Sequence, residues 1–213
     1  MNTQQAYDSW ASQYDTNHNK TRDLEGQAMQ ATLASVSFAR CLEIGCGTGK
    51  NTAWLLGKAA EVTAVDLSAQ MLDQARAKIP PARVQFIQAD ITTSWTFLHS
   101  PYDLVSFSLV LEHIENLEPV FQEAARCLNA GGHIYLGELH PFKQYSGTKA
   151  RFDTPEGRQV VPCFNHHLSD FLLAARKQGL ELVEVNEFFD HPDRKGIPRI
   201  LTILFKKPYD KSL

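Results

Sequence analysis

Long apolar runs are missing from this chain. Nowhere in its 213 residues does one approach the roughly 18 residues that a bilayer-spanning helix needs. The start, polar from Asn2 to Gln5, lacks the basic-then-apolar pattern of a secretory signal. An excess of positive charge is missing as well: 21 Lys and Arg stand against 24 Asp and Glu, for a net charge of -3, which disfavours an extended nucleic-acid partner. Cysteine is scarce, and Cys41, Cys46, Cys127 and Cys163 are scattered with no CxxC pair. That spacing excludes the common zinc frameworks and suits a reducing compartment without disulfides. Histidines at the helical spacing of metalloproteases are absent too, so no metal is expected. Repeats and low-complexity segments are lacking. These absences leave a cytoplasmic, membrane-free globular protein, expected to form one domain over 1–213.

What the chain does have is a glycine-rich turn. Leu42, Glu43 and Ile44 form the end of an apolar strand, followed by Gly45, Cys46, Gly47, Thr48 and Gly49, and then by a helix start at Lys50, Asn51 and Thr52. Three glycines let the backbone adopt positive φ and approach a ligand with no Cβ in the way. The helix that follows directs free N–H groups and a positive dipole end at whatever sits over the turn. Dinucleotide sites carry GxGxxG at this place, with a third glycine for close helix packing. Here Lys50 occupies that position and the pattern is GxGxG. Asp66 ends the next strand, Val62 to Val65, where a carboxylate receives ribose hydroxyls.

Glu43 before the turn, the GxGxG itself and Asp66 after it resemble the class I S-adenosylmethionine-dependent methyltransferases. The resemblance runs from about Tyr7 to Lys207. It implies an α/β, Rossmann-like sheet of seven strands, mostly parallel with one antiparallel strand and helices on both faces. It also implies the cofactor S-adenosylmethionine, held by Tyr14, Gly45, Cys46, Gly47, Asn51, Asp66, Leu67, Met71, Asp90, Ile91 and Ser108. In this family an acidic residue in the position of Asp90 takes the adenine amine and the next backbone N–H meets a ring nitrogen. A carboxylate suits an amine that only donates; a plain helix cap is the competing role for Asp90. The tetrad of amino-methylating enzymes, Asn or Asp followed by Pro-Pro-Tyr, is absent at Ser108 to Leu111, which demotes base-amine and glutamine-amide substrates.

Taken in order, Tyr7, Trp10 and Tyr14 lie three and four residues apart, on one face of a helix. Core packing accounts for Trp10, whereas the resemblance makes the segment from about 3 to 16 a lid, with Tyr7 and Tyr14 toward the ligand. Residues 17–21 read as a polar hinge and 22–37 as a helix, with Arg22 a partner for the methionine carboxylate or a solvated charge. Helices are expected over 51–58, 69–78 capped by Ser68, 117–128 and 168–177, and strands over 62–66, 83–88, 102–107, 133–139, 180–189 and 200–205. Asn129, Ala130, Gly131 and Gly132 read as a turn. The stretch from about 148 to 166 reads as an inserted hairpin, turning at 153–157, that roofs an acceptor pocket.

A sulfonium methyl group needs chiefly an aligned acceptor and the exclusion of water, and a base only where the acceptor carries a proton. Glu138, His140 and Tyr145 lie just past a strand end, where open α/β sheets bind ligands. With His113 they form the candidate catalytic set, His140 being preferred as base because histidine titrates near neutrality. His113 has a packing or capping role as its alternative. Of His166 and His167, an extended backbone lets at most one face the site. The implied partner is a small-molecule methyl acceptor. A non-catalytic nucleoside-binding or protein-interaction module, and a protein or RNA methyltransferase, are the competing readings. The acceptor atom and the oligomeric state stay open.

Overall fold

The structure, a computed structural model, describes residues 2–16, 18–98, 101–154 and 157–209. Two helices come first, α1 (Thr3–Trp10) and α2 (Lys20–Thr32), joined through a short 3-10 turn at Ala11–Gln13. Then β1 (Arg40–Ile44), α3 (Lys50–Lys58), β2 (Glu61–Asp66), α4 (Ala69–Lys78) and β3 (Val84–Gln88) alternate. After them come β4 (Tyr102–Ser108), α5 (Leu117–Cys127), β5 (Leu128–Leu139) and α6 (Pro141–Tyr145). A hairpin of β6 (Arg151–Thr154) and β7 (Gly157–Val160) precedes α7 (Leu168–Lys177), β8 (Glu181–Phe188) and β9 (Ile200–Lys206). Seven strands form one sheet in the order β3-β2-β1-β4-β5-β9-β8, with β9 antiparallel to both neighbours and the other pairings parallel. This is the expected α/β architecture.

Neighbouring residues on the central strands go to opposite faces, as the period of two requires. On β1, Cys41 joins Met29, Leu33 and Leu55 under α2 and α3, while Leu42 joins Phe107, Phe121 and Phe171 under α5 and α7. Both faces of β1 and β4 are therefore buried, which explains their continuous apolar runs. The edge strand β8 is largely exposed. Strand order reverses between β1 and β4, and the crevice at their C-terminal ends is where such sheets bind ligands.

Several boundaries differ from expectation. The first long helix begins at Lys20, capped by the Asn19 side chain, and closes at Thr32. Asn129 to Gly132 lie inside β5 and form no separating turn. The register against β4 jumps from Tyr102↔Leu128 to Leu104↔His133, so the extra residues bulge out. Gly131 takes φ 80° there and its N–H donates to the Lys207 carbonyl at 2.8 Å. The hairpin strands pair antiparallel, and their pairing runs through Asp153, Thr154 and Gly157, inside the stretch read as the turn. Part of its tip, Pro155 and Glu156, and Asn17 of the expected hinge lie outside the described residues.

Candidate functional site

The turn after β1 is built from glycine for two separate reasons. Gly47 has φ 52°, and a Cβ there would project into open space above the turn, where the cavity lies. Gly49, the N-cap of α3, has φ 83°, and a Cβ would come within 2.7 Å of Ile79 and 3.2 Å of the Ala75 Cβ. Close packing against α4 is thus met by Gly49, which leaves Lys50 free to pair with Asp23 of α2 at 2.8 Å. Glu43 is buried beneath the turn and accepts from Thr52 Oγ1 at 2.5 Å.

Asp66 fixes the turn from the next strand. One oxygen accepts from Gly47 N at 2.8 Å and the other from Ser68 N at 2.8 Å. Burial raises its pKa, and those backbone donors oppose the rise. The carboxyl group also lines a cavity of about 380 Å³ together with Tyr14, Gly45, Gly47, Leu67, Met71, Asp90, Ile91 and Ser108. Of the expected cofactor residues only Cys46 and Asn51 are absent from these walls. Cys46 is buried in the core, and Asn51 Nδ2 donates to Glu25 Oε2 at 2.9 Å, bracing α3 against α2. Asp90 caps its own turn, accepting from Thr92 N at 2.8 Å and Thr92 Oγ1 at 2.6 Å, and still lines the cavity. Arg22 points to the Tyr14 carbonyl and stacks 5.1 Å from the Tyr14 ring.

The N-terminal helix closes over this cavity. Asp8 accepts from Ser68 Oγ at 2.5 Å, while Asp15 accepts from Thr48 Oγ1 at 2.6 Å and pairs with Lys78 at 2.5 Å. Trp10 is buried with Ala6, Ala11, Met71 and Val161, which is the core-packing role. Tyr7 sits between two cavities. It lines the first, and also a second of about 300 Å³ whose walls include Trp10, Tyr14, Leu109, Glu112 and Leu139, with Thr148 to Arg151 from the hairpin side.

The four candidate catalytic residues part company here. His113 lines the first cavity, with Nδ1 2.8 Å from the Pro162 carbonyl and Nε2 2.8 Å from the Tyr7 hydroxyl. A carbonyl only accepts, so Nδ1 carries the proton and Nε2 is the basic nitrogen. His140, the residue expected to act as base, lines neither cavity. It caps α6: Nδ1 accepts from Phe142 N at 3.1 Å, so Nε2–H donates to Glu187 Oε1 at 3.0 Å, and burial lowers its pKa. Both ring nitrogens are committed to structure. Tyr145 is 51% exposed and bonded to His167 Nδ1 at 2.6 Å, away from both cavities. His166 is the inward member of its pair, its Nε2 donating to the Ile114 carbonyl at 2.7 Å.

Glu138 acts one layer below the site. Its Oε1 accepts from Val110 N at 3.2 Å and Leu111 N at 3.0 Å, and burial pushes its pKa up to about 8. The turn it holds contains Leu109 at φ 55°, a left-handed conformation that costs a residue with a Cβ about 1 to 2 kcal/mol. Leu109 lines both cavities. Nothing in the sequence marks this strain, and Leu109 and Val110 were not anticipated as site residues. Glu112, His113 and Cys163 offer ligand atoms within 4.8 Å of one another. Burial pushes the Cys163 thiol up to about 12 and raises the Glu112 pKa.

Residues 42–136 match the family described as "Methyltransferase domain". The chain is 35% identical over 122 residues to a malonyl-[acyl-carrier protein] O-methyltransferase of Enterobacter lignolyticus, covering 57% of this chain and 47% of that protein. It is 27% identical to a ubiquinone biosynthesis O-methyltransferase of Xanthomonas euvesicatoria pv. vesicatoria, covering 77% of this chain and 72% of the relative. The chain thus spans about half the length of the first of these relatives. The DhpI structure with SAH superimposes with a TM-score of 0.75 over 98% of this chain and 96% of that one, a likeness of fold at 22% identity. Family match, fold and the cavity over the glycine turn converge on one ligand architecture, that of the class I S-adenosylmethionine-dependent methyltransferases, to which this chain is similar.

Proposed function

We propose that this chain transfers a methyl group from S-adenosylmethionine to an oxygen of a small-molecule acceptor seated in the second cavity. The observation that carries the reading is the junction of the two cavities, which share Tyr7, Tyr14 and Leu109. The chain's own residues fit the cofactor: Asp66 and Asp90 present carboxylates at the ends of successive strands, and Gly47 leaves room that a Cβ would fill. The choice of oxygen rests on the two relatives named above, both O-methyltransferases. S-adenosylmethionine supplies a methyl group already activated on a sulfonium.

The protein then has three tasks. The α1 lid and the hairpin cap exclude water, which strengthens each polar contact inside. Tyr7, Tyr14 and Leu109 orient the acceptor at the junction, a form of positioning that supplies about 7 to 11 kcal/mol in favourable cases. Where the acceptor carries a proton, His113 Nε2 receives it, directly or through the Tyr7 hydroxyl. Pro162 holds the ring in the required tautomer. Screening small acids, phenols and alcohols for transfer from methyl-labelled cofactor tests the reading. Labelled product with the wild type, lost in His113→Ala for a phenol or alcohol acceptor, supports it; cofactor binding without transfer to any acceptor favours the non-catalytic module.

A further inference from the structure

The second cavity differs in charge from the rest of the molecule. The chain as a whole carries a net charge of -3, yet this cavity is walled by Lys20, Lys149, Arg151, Arg199 and His18, with Glu112 its one carboxyl group. Part of that charge is already balanced. Arg199 forms a two-pronged pair with Asp190, and His18 lies 3.7 Å from Asp23. Lys149 and Arg151, by contrast, make no ion pair among the described side chains. Both are exposed and sit on the hairpin side of the cavity. Glu112 is buried against His113 and Cys163, and burial raises its pKa.

We propose that the methyl acceptor is a small organic anion whose carboxylate or phosphoryl group is held by Lys149 and Arg151 at the hairpin end of this cavity. This deepens the methyltransferase reading and rests on it. An arginine offers a planar fork that meets two oxygens of a carboxylate or phosphate together, and a lysine adds a mobile point charge. Such an anchor at the mouth leaves the other end of the acceptor to reach Tyr7 and Leu109, where the two cavities meet. It also gives the pocket a preference for anions over neutral look-alikes, which gain nothing from the two cations. A volume of about 300 Å³ admits a small molecule and no large chain.

The test is calorimetry on the full chain saturated with S-adenosylhomocysteine, using benzoate, phenyl phosphate and benzamide as probes of similar shape and different charge. At least one anion should bind about tenfold or more tightly than the neutral amide, with a preference that shrinks as salt is added. The stronger of the two anions identifies the oxyanion. In the double variant Lys149→Gln/Arg151→Gln, which alters only exposed side chains, the preference should fall to about twofold while S-adenosylhomocysteine binds as in the wild type. Equal binding of benzamide, no binding of any probe, or a preference that survives in the double variant overturns the proposal alone. A folded wild type that gives no heat with S-adenosylhomocysteine removes the methyltransferase reading beneath it as well.

Discussion

The Tyr7 hydroxyl lies 2.8 Å from His113 Nε2, joining the N-terminal helix to the turn after β4. The two rings also meet edge-on, with centroids 5.4 Å apart. Burial raises the tyrosine pKa well above its ordinary value, so the phenol stays protonated and donates to the imidazole. For an acceptor that must lose a proton, His113→Ala should lower kcat by about a hundredfold or more with cofactor affinity nearly unchanged. Tyr7→Phe should lower it less. Full turnover by the alanine variant on such an acceptor would remove His113 from the chemistry.

The N-terminal segment is held by Asp8 on Ser68, Asp15 on Thr48 and Lys78, Tyr7 on His113, and Trp10 packed on Met71 and Val161, and none of these partners lies in a strand of the seven-stranded sheet. Deleting residues 1–16 should therefore leave the sheet folded, as judged by far-ultraviolet circular dichroism. It should weaken cofactor binding and abolish turnover, because the cavity would open to water. A truncated protein with full affinity would reduce the aromatic stripe to core packing.

His140→Ala separates structure from catalysis. Loss of the α6 cap and of the contact to Glu187 should cost about 0.5 to 2 kcal/mol of stability, read as a lower midpoint in urea. Turnover per folded molecule should change by less than about threefold. A loss near a hundredfold with unchanged stability would restore His140 as the base.

Stability should also depend on pH in an unusual direction. Burial pushes Glu43 and Glu138 up to about 8, from an ordinary 4.5. Between those values the folded state holds more protons than the unfolded one, so stability falls as pH rises from about 4.5 to about 8. Thermal midpoints of the wild type should drop across that window, and Glu43→Gln, which cannot ionise, should show a shallower drop. A midpoint that climbs through the window would contradict the assignment.

Much of this was legible in the chain because strand-turn-helix units are local. The glycine turn, Asp66, Asp90 and Ser108 are fixed by short spacings, and the structure brings them to one cavity. The acceptor side depends on contacts distant in sequence. His140 and His113 looked alike as histidines near strand ends. Their difference comes from Glu187, which occupies the one, and from Pro162 and Tyr7, which orient the other. Likewise Glu138 follows the pattern of a site carboxylate, but the turn it supports from below is visible only once β4 and β5 are paired. The bulge at Asn129 to Gly132 imitates a turn because glycine serves both.

We propose that the cavity above Gly47 and Asp66 holds S-adenosylmethionine and is closed to a dinucleotide. Calorimetry with S-adenosylhomocysteine and NAD, on the wild type and on Asp66→Ala, tests this. The expected result is micromolar binding of S-adenosylhomocysteine and none of NAD, with the variant weakened about tenfold or more by loss of charge-assisted bonds to the ribose. Equal binding of NAD, or unchanged affinity in Asp66→Ala, would contradict it.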